Sequence, residues 1–435
     1  MNILLINANM YHRHSWTSQL LYKLNSNPIL VLQQLAAATP QNHRVRLIDD
    51  RYDNPLINDP VDLVGISTVT PSSFRAYEIA EFYRKKGIPV VLGGIHPSAL
   101  PEEAKQHADA VVIGEAESTW PQVIADVEKG KLQPFYRAEQ PVPPELIPQP
   151  RRDLLRLEPL FSAVAPSRGC PYYCSFCTLT HLHGNTYRAR PIEHIVDEIK
   201  NTPRKFLVFL HDASLTINRE YAKALLKAMI PLKRKFIAYG SAPVLAQDDE
   251  LLKLSYDAGC VIWCVGFESI CQDSLKQDAH KGYSVENYEK MVKKIHANHM
   301  SVFGSFVFGF DHDTPAIFDA TLQKAFDFGL DAAEFNILTP FPITRLFKKL
   351  DSEGRILTRD WTLYDLHHVV FQPKLMTADE LYQGAASVSN RFYAPDKTLA
   401  RIANVTFKTR KFPNILVVSA MNVIMARFHL EFTLF

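Results

Sequence analysis

The sequence predicts an α/β chain: an N-terminal doubly wound domain, a second unit built on a partial six-stranded barrel, and a small, mainly helical C-terminal region. Three observations carry this. Five short apolar runs alternate with helical patterns over the first 114 residues, a proline-rich interval follows, and six further strand–helix repeats lead to about residue 345. Crossovers of helix length between apolar runs make the strands parallel and cover both faces of the sheet.

In the first unit, assigned to residues 1–135, the runs are ILLIN (3–7), VRLID (45–49), LVGIS (63–67), PVVLGG (89–94) and AVVIG (110–114). Between them, ILVLQQLAAAT, FRAYEIAEFYRKKG and SALPEEAKQHA carry apolar residues at helical spacing. In such domains a ligand lies outside the carboxyl ends of the strands. Those ends carry Asn7, then Ser67, Thr68, Val69 and Thr70, then Gly93, Gly94, Ile95 and His96, and finally Gly114 and Glu115. No GxGxxG follows the first strand, so a dinucleotide is disfavoured. The bland alternative is a pure scaffold with glycines at ordinary turns.

Six prolines between Pro134 and Pro150 predict an extended linker over residues 136–160. Beyond it, SAVAPS (162–167), FLVFL (206–210), FIAYG (236–240), VIWCVGFE (261–268), VFGSFVFG (302–309) and AEFNIL (333–338) read as strands. IEHIVDEIK, REYAKALLKAM, DELLKLSYDAG, ENYEKMVKKIHAN and AIFDATLQKAFDFG read as the helices between them. This second unit spans residues 161–345, two repeats short of an eightfold barrel, and catalytic groups are expected at the carboxyl ends of its strands.

Residues 346–435 are expected to cap the site. Their run NILVVSAMNVIMARFHLEF, Asn414 to Phe432, is apolar on most faces and follows Lys408, Arg410 and Lys411. It either touches a membrane surface or lipid substrate, or packs on the protein's own core, the reading we favour.

Composition narrows the function classes. A chain of 435 residues that is 47% hydrophobic can bury a large core, and a formal net charge of +2 without a long basic run gives no reason to expect nucleic acid. The opening MNILLINANMYHRH lacks a signal peptide's hydrophobic segment, and no run reaches the ~20 apolar residues that span a bilayer, so a cytosolic location is expected. Six cysteines, three of them in one loop, read as a metal site rather than a disulfide framework.

That loop is SRGCPYYCSFCT, Ser167 to Thr178, directly after the first strand of the second unit. Cys170, Cys174 and Cys177 offer three thiolates where a metal cluster or a tetrahedral zinc takes four ligands. The spacing suits a loop wrapped around one iron–sulfur cluster, and the competing reading is a structural zinc completed by His181 or His183. Cys260, expected to end a helix, and Cys264, inside a strand, read with Cys271 as structural thiols.

The CxxxCxxC motif, with the aromatic Phe176 before its last cysteine, resembles the radical S-adenosylmethionine (SAM) superfamily. The preceding domain resembles the cobalamin-binding domain joined to one large subgroup, the class B methylase-like enzymes. The likeness runs through GIPVVLGGIHPSALPEEA, VVIGEAE, YRARPIEHIVDEI, AGCVIWCVGFES, FVFGFDHDT, LTPFPIT and DWTLYDLHHVVFQP. It implies a 4Fe-4S cluster on Cys170, Cys174 and Cys177, with the open iron chelated by the amino and carboxylate groups of SAM. Reductive cleavage of that SAM gives methionine and a 5′-deoxyadenosyl radical.

The same resemblance gives Phe176, Glu268, Gly309 and Arg188 to SAM. Glu268 would meet its ammonium or ribose hydroxyls, Gly309 would let its adenine approach the backbone, and Tyr187, Arg188 and Arg190 would position a carboxylate. The bland readings are a structural salt bridge, a strand-end glycine and solvated or paired arginines. Asn7, Ser67, Thr68, Thr70, Gly93, Gly94, His96, Gly114 and Glu115 would hold cobalamin. Cobalt-ligating domains of this kind carry DxHxxG after their first strand; here Asn7 and Asn9 stand at the first two of those positions and no glycine matches, so cobalamin is expected without a protein histidine on cobalt. Two further departures are Ile343, where glycine is usual, and His211, which precedes Asp212 where an acidic pair is common.

The implied function is cobalamin-dependent methyl transfer to an unactivated carbon of a small-molecule or lipid-like substrate, with an external electron donor such as flavodoxin or ferredoxin. The alternatives are a radical oxidoreductase or cyclase without methyl transfer, and a non-enzymatic cobalamin sensor with a structural zinc.

Overall fold

The computed structural model describes residues 1–9, 29–155, 161–202, 207–279, 282–409 and 412–432. The loop reading MYHRH and the end of the expected linker fall outside these residues, as do the side chains of Lys408, Arg410 and Lys411.

The first sheet is parallel and runs β2 (Arg44–Asp49), β1 (Asn2–Asn7), β3 (Leu63–Ser67), β4 (Val90–Gly93), β5 (Ala110–Ile113), β6 (Phe135–Arg137). Its centre is buried on both sides, so β1 alternates between two cores. Leu4 and Ile6 pack with Ile79 and Tyr83, whereas Ile3 and Leu5 pack with Leu32 and Trp120. The strand order reverses at β1, which puts the ligand crevice beside Asn7 and Ser67.

β6 was not expected. It carries the sheet past residue 135 into the stretch assigned to the linker. Three residues flanked by prolines carry little periodicity, but an edge strand tolerates proline nearby. Tyr136 pins it, donating its phenol hydrogen to Asp126 at 2.8 Å.

The second sheet comprises β7 (Phe161–Val164), β10 (Leu207–Leu210), β11 (Phe236–Gly240), β12 (Cys260–Glu268), β13 (Ser301–Phe308) and β14 (Ala332–Ile337), each beside its predecessor and all parallel. This is the six-stranded partial barrel the sequence predicts. Between β7 and β10, β8 (Ser167–Arg168) pairs antiparallel with β9 (Arg188–Ala189) and brackets the cysteine loop.

One face of this sheet packs on its crossover helices, including Leu225, Leu245, Met291 and Leu322. The amino-terminal half of the other face, with Phe209, Ile237, Ile262 and Phe303, packs on Val417 and Val418 of the helix Phe412–Phe432. The Asn422 amide, fully buried, donates to the Asp331 carbonyl at 2.8 Å. The apolar C-terminal run is thus a helix packed on the protein's own core, and among the described residues no helix is long and apolar enough to cross a membrane. Cys260 begins β12 rather than ending a helix, because the preceding helix stops at Ala258 and Gly259 turns the chain at φ +101°.

The C-terminal region also reaches the first domain. The Trp361 indole donates to the Glu103 carboxylate at 3.1 Å, and its ring stands edge-on to His96.

Candidate active site

The carboxyl ends of the two sheets face one cavity of about 680 Å³. On one side, the Cys170 N–H donates to the Gly184 carbonyl at 3.3 Å, and Ser175 anchors the loop twice on Asp278, through its N–H to the carbonyl and its hydroxyl to the carboxylate. Cys170, Cys174 and Cys177 all line the cavity, the first two buried and the third half-buried. The Cys174 thiol lies 2.7 Å from the Ala279 carbonyl. Phe176 also lines it, edge-on to Phe310.

Glu268 ends β12 at φ +61°, where the register with β13 shifts, and its buried side chain lines the same cavity. Across the sheet, Gly266, Ser305 and Glu334 are register partners and all reach the cavity. Burial, together with the nearby charge of Glu268, pushes the Glu334 carboxyl up.

The first domain supplies the opposite wall. Asn7, Ser67, Thr68, Gly93, Gly94, Gly114 and Glu115 line the cavity, as the sequence expects. Gly94 is required there: at φ +103°, an added Cβ would sit 2.6 Å from the Thr68 carbonyl oxygen. Gly114 leaves open space, with nothing within 4 Å of where a Cβ would be.

Five expected residues lie elsewhere. Thr70 is buried behind the wall. His96 turns inward, its Nε2 within 3.1 Å of the Tyr77 hydroxyl and 3.2 Å of Glu103. Gly309, at φ +107°, is covered by Leu381 and Phe371, and a Cβ would meet Leu381 at 2.9 Å. Arg188 donates to Glu115 and to the Val142 carbonyl, joining the two domains rather than facing the cavity. Arg190 pairs with Glu198 in the core.

Glu115 is therefore both a cavity residue and an interdomain anchor. Burial works against its charge, but His183, Arg188 and Arg168 together bring its carboxyl down to about 2. Arg168 also holds Glu117 and the Gln34 amide oxygen.

Sequence reasoning missed part of the floor: Gln34, Tyr239, Cys264, Ser305 and Glu334. The signal was the period of two. Tyr239, Ser305 and Glu334 interrupt apolar strands at positions facing away from the crossover helices, and a polar side chain placed there faces either a ligand or an unpaid desolvation cost. Asp212 belongs to the same rim. Its Oδ2 accepts from the Ser167 hydroxyl at 2.9 Å, its Oδ1 has no hydrogen-bond partner among the described residues, and burial pushes the acid up to about 7.

The residues fit the implied cofactors. Three thiols open into one large space, as a cluster with a chelating substrate requires. His183, a candidate fourth zinc ligand, is committed to Glu115 at 2.8 Å. The open space at Gly114, beside the small and polar residues at the strand ends, suits a broad planar ligand on the first domain.

Comparison with known proteins agrees. Residues 164–325 match the radical SAM superfamily model and residues 30–124 the B12 binding domain model. The chain is similar to two enzymes of Chlorobaculum tepidum. One is bacteriochlorophyllide d C-12(1)-methyltransferase, at 28% identity over 89% of this chain and 87% of that one. The other is bacteriochlorophyllide d C-8(2)-methyltransferase, at 29% identity over 88% and 92%. Its fold matches the cobalamin-dependent SAM radical enzyme OxsB, with TM-score 0.69 and 15% identity over 96% of this chain and 72% of that one. A 4Fe-4S cluster, SAM and cobalamin are the cofactors these domains take. Both domains are matched in sequence and open onto one cavity, so the chain carries a radical SAM domain joined to a B12-binding domain.

Proposed function

We propose that this chain is a cobalamin-dependent C-methyltransferase that methylates an unactivated carbon of a small, largely apolar molecule, a tetrapyrrole or a lipid-like compound. The observation that carries the reading is the shared cavity, with the three cysteines on one wall and the strand ends of the first domain on the other. The names of the two Chlorobaculum relatives support methyl transfer and the tetrapyrrole class.

Bound there, the cofactors supply reductive cleavage of a sulfonium and transfer of a methyl group. The chain holds and aims them. Cys170, Cys174 and Cys177 ligate three irons, and Phe176 packs beside them. Glu268 accepts charge-assisted hydrogen bonds from the ammonium or ribose hydroxyls of SAM. Asn7, Ser67, Thr68 and the backbone at Gly93, Gly94 and Gly114 cradle the corrin. The apolar lining, from Leu182 to Val265, keeps water from the reacting groups.

The electron enters from an external donor such as flavodoxin or ferredoxin, in the reducing cytosol. Any peripheral membrane contact falls to the outer face of the C-terminal helix, where Leu416 and Val423 are exposed.

The test is product analysis of protein reconstituted without oxygen. Methyl transfer by this route consumes two SAM per product, so S-adenosylhomocysteine and 5′-deoxyadenosine should form in equal amounts. The deoxynucleoside alone, with substrate consumed, would point to the oxidoreductase or cyclase chemistry instead.

A further inference from the structure

His211 is a cavity residue that the cofactors leave unused. It follows β10 directly, and its N–H donates to the Val164 carbonyl at 2.8 Å, which fixes the backbone to the neighbouring strand. The ring stands edge-on to Phe209, with centroids 5.4 Å apart, and 6.5 Å from Tyr239, so two aromatic side chains set its plane. The side chain is exposed to the open cavity, and among the described residues no hydrogen bond is made to either ring nitrogen. Desolvation by the surrounding cavity walls and the nearby His183 lower its proton affinity even though the ring faces open space, which favours a neutral imidazole with an available lone pair.

The surroundings restrict what that lone pair meets. Asp212, Tyr239 and Glu334 are all pushed toward their protonated forms by burial. The one guanidinium among the described cavity residues, Arg168, is committed to Glu115 and Glu117. This part of the cavity therefore disfavours an anionic group. A purely hydrocarbon substrate would leave the imidazole unsatisfied at a cost. A neutral Lewis acid in an apolar, planar frame satisfies every condition, and imidazole is a good ligand for such a metal.

We propose that His211 is the axial ligand to the central metal of a metallated tetrapyrrole substrate. This deepens the methyltransferase reading, on which it rests, by naming the substrate class and the residue that selects it. The bond is a simple coordination: the imidazole donates its lone pair to a metal that already sits in the macrocycle, with no change in oxidation state.

The experiment titrates the reconstituted full-length protein with zinc protoporphyrin IX and with metal-free protoporphyrin IX, followed by absorbance and magnetic circular dichroism. The expected result is a red-shifted Soret band typical of nitrogen ligation for the zinc form, and about tenfold tighter binding than the metal-free form. His211→Ala should abolish the shift and the preference while retaining iron content, free imidazole should restore the shift, and His211→Gln serves if the alanine variant is poorly folded. A wild-type protein that does not distinguish the two porphyrins, or a His211 variant that still does, overturns the assignment. Methylation of a metal-free tetrapyrrole, with both nucleoside products formed, would overturn it too while leaving the methyltransferase reading in place.

Discussion

Glu268 occupies a backbone region that side-chain-bearing residues seldom enter, at φ +61° on a register shift between two paired strands. Such a conformation costs about 1–3 kcal/mol and persists only where its surroundings enforce it, and here it aims a buried carboxylate into the cavity. If that carboxylate grips SAM, Glu268→Gln removes a charge-assisted hydrogen bond and weakens SAM binding by roughly tenfold or more, with iron per chain unchanged. Equilibrium binding of SAM to both proteins checks this, and equal affinities return Glu268 to a structural role. The residue was legible because GFES ends a strand, as were the cysteines from their spacing. Arg188 was not: its partner Glu115 is 73 positions away, and no local pattern separates an arginine that faces a ligand from one that bridges domains. Gly309 misled for a related reason, since a glycine that admits Leu381 reads the same in sequence as one that admits adenine.

The β8–β9 ribbon is the element that ties the cysteine loop to the first domain. Arg168 extends from it to Glu115 and Glu117 beyond the end of β5, and all three side chains are nine-tenths or more buried. A buried pair adds little over an apolar replacement, but removing one partner strands the other's charge, at about 3–5 kcal/mol. Arg168→Ala is therefore expected to lower the thermal unfolding midpoint and to speed loss of iron on dilution, with Arg168→Lys intermediate because it keeps the charge but not the two-armed geometry. Unchanged melting and iron retention in the alanine variant would show that the ribbon is held by other contacts. At this scale the strands were legible, because apolar runs bounded by turns survive any tertiary context. The short β6 and the two-residue ribbon were not, since their pairing depends on partners rather than on their own residues.

At the scale of the whole molecule, two parallel sheets present their carboxyl ends to each other while the C-terminal helix fills the lower half of the second sheet's free face. Both sheets could be read from the sequence; their mutual orientation could not, because it rests on ion pairs between distant residues. That orientation bears on the cobalt. Among the described residues, the first domain gives the cavity no histidine, and His96 is turned away to Tyr77 and Glu103. The histidines that do line the cavity come from the second domain: His183, committed to Glu115, and His211. Because no DxHxxG follows β1, cobalamin on the first domain is expected with its own base displaced and no protein histidine on cobalt, a weak axial field that favours the reduced metal needed between methyl transfers. Electron paramagnetic resonance of bound Co(II) reads this directly, since an axial nitrogen splits the cobalt lines further. An unsplit spectrum is the expected result. Splitting that persists in His211→Ala overturns the prediction for the first domain, because a ligand from that domain or the cofactor's own base then remains on cobalt. Splitting that vanishes in the variant moves His211 from the substrate's metal to the cofactor's, and with it the tetrapyrrole assignment falls.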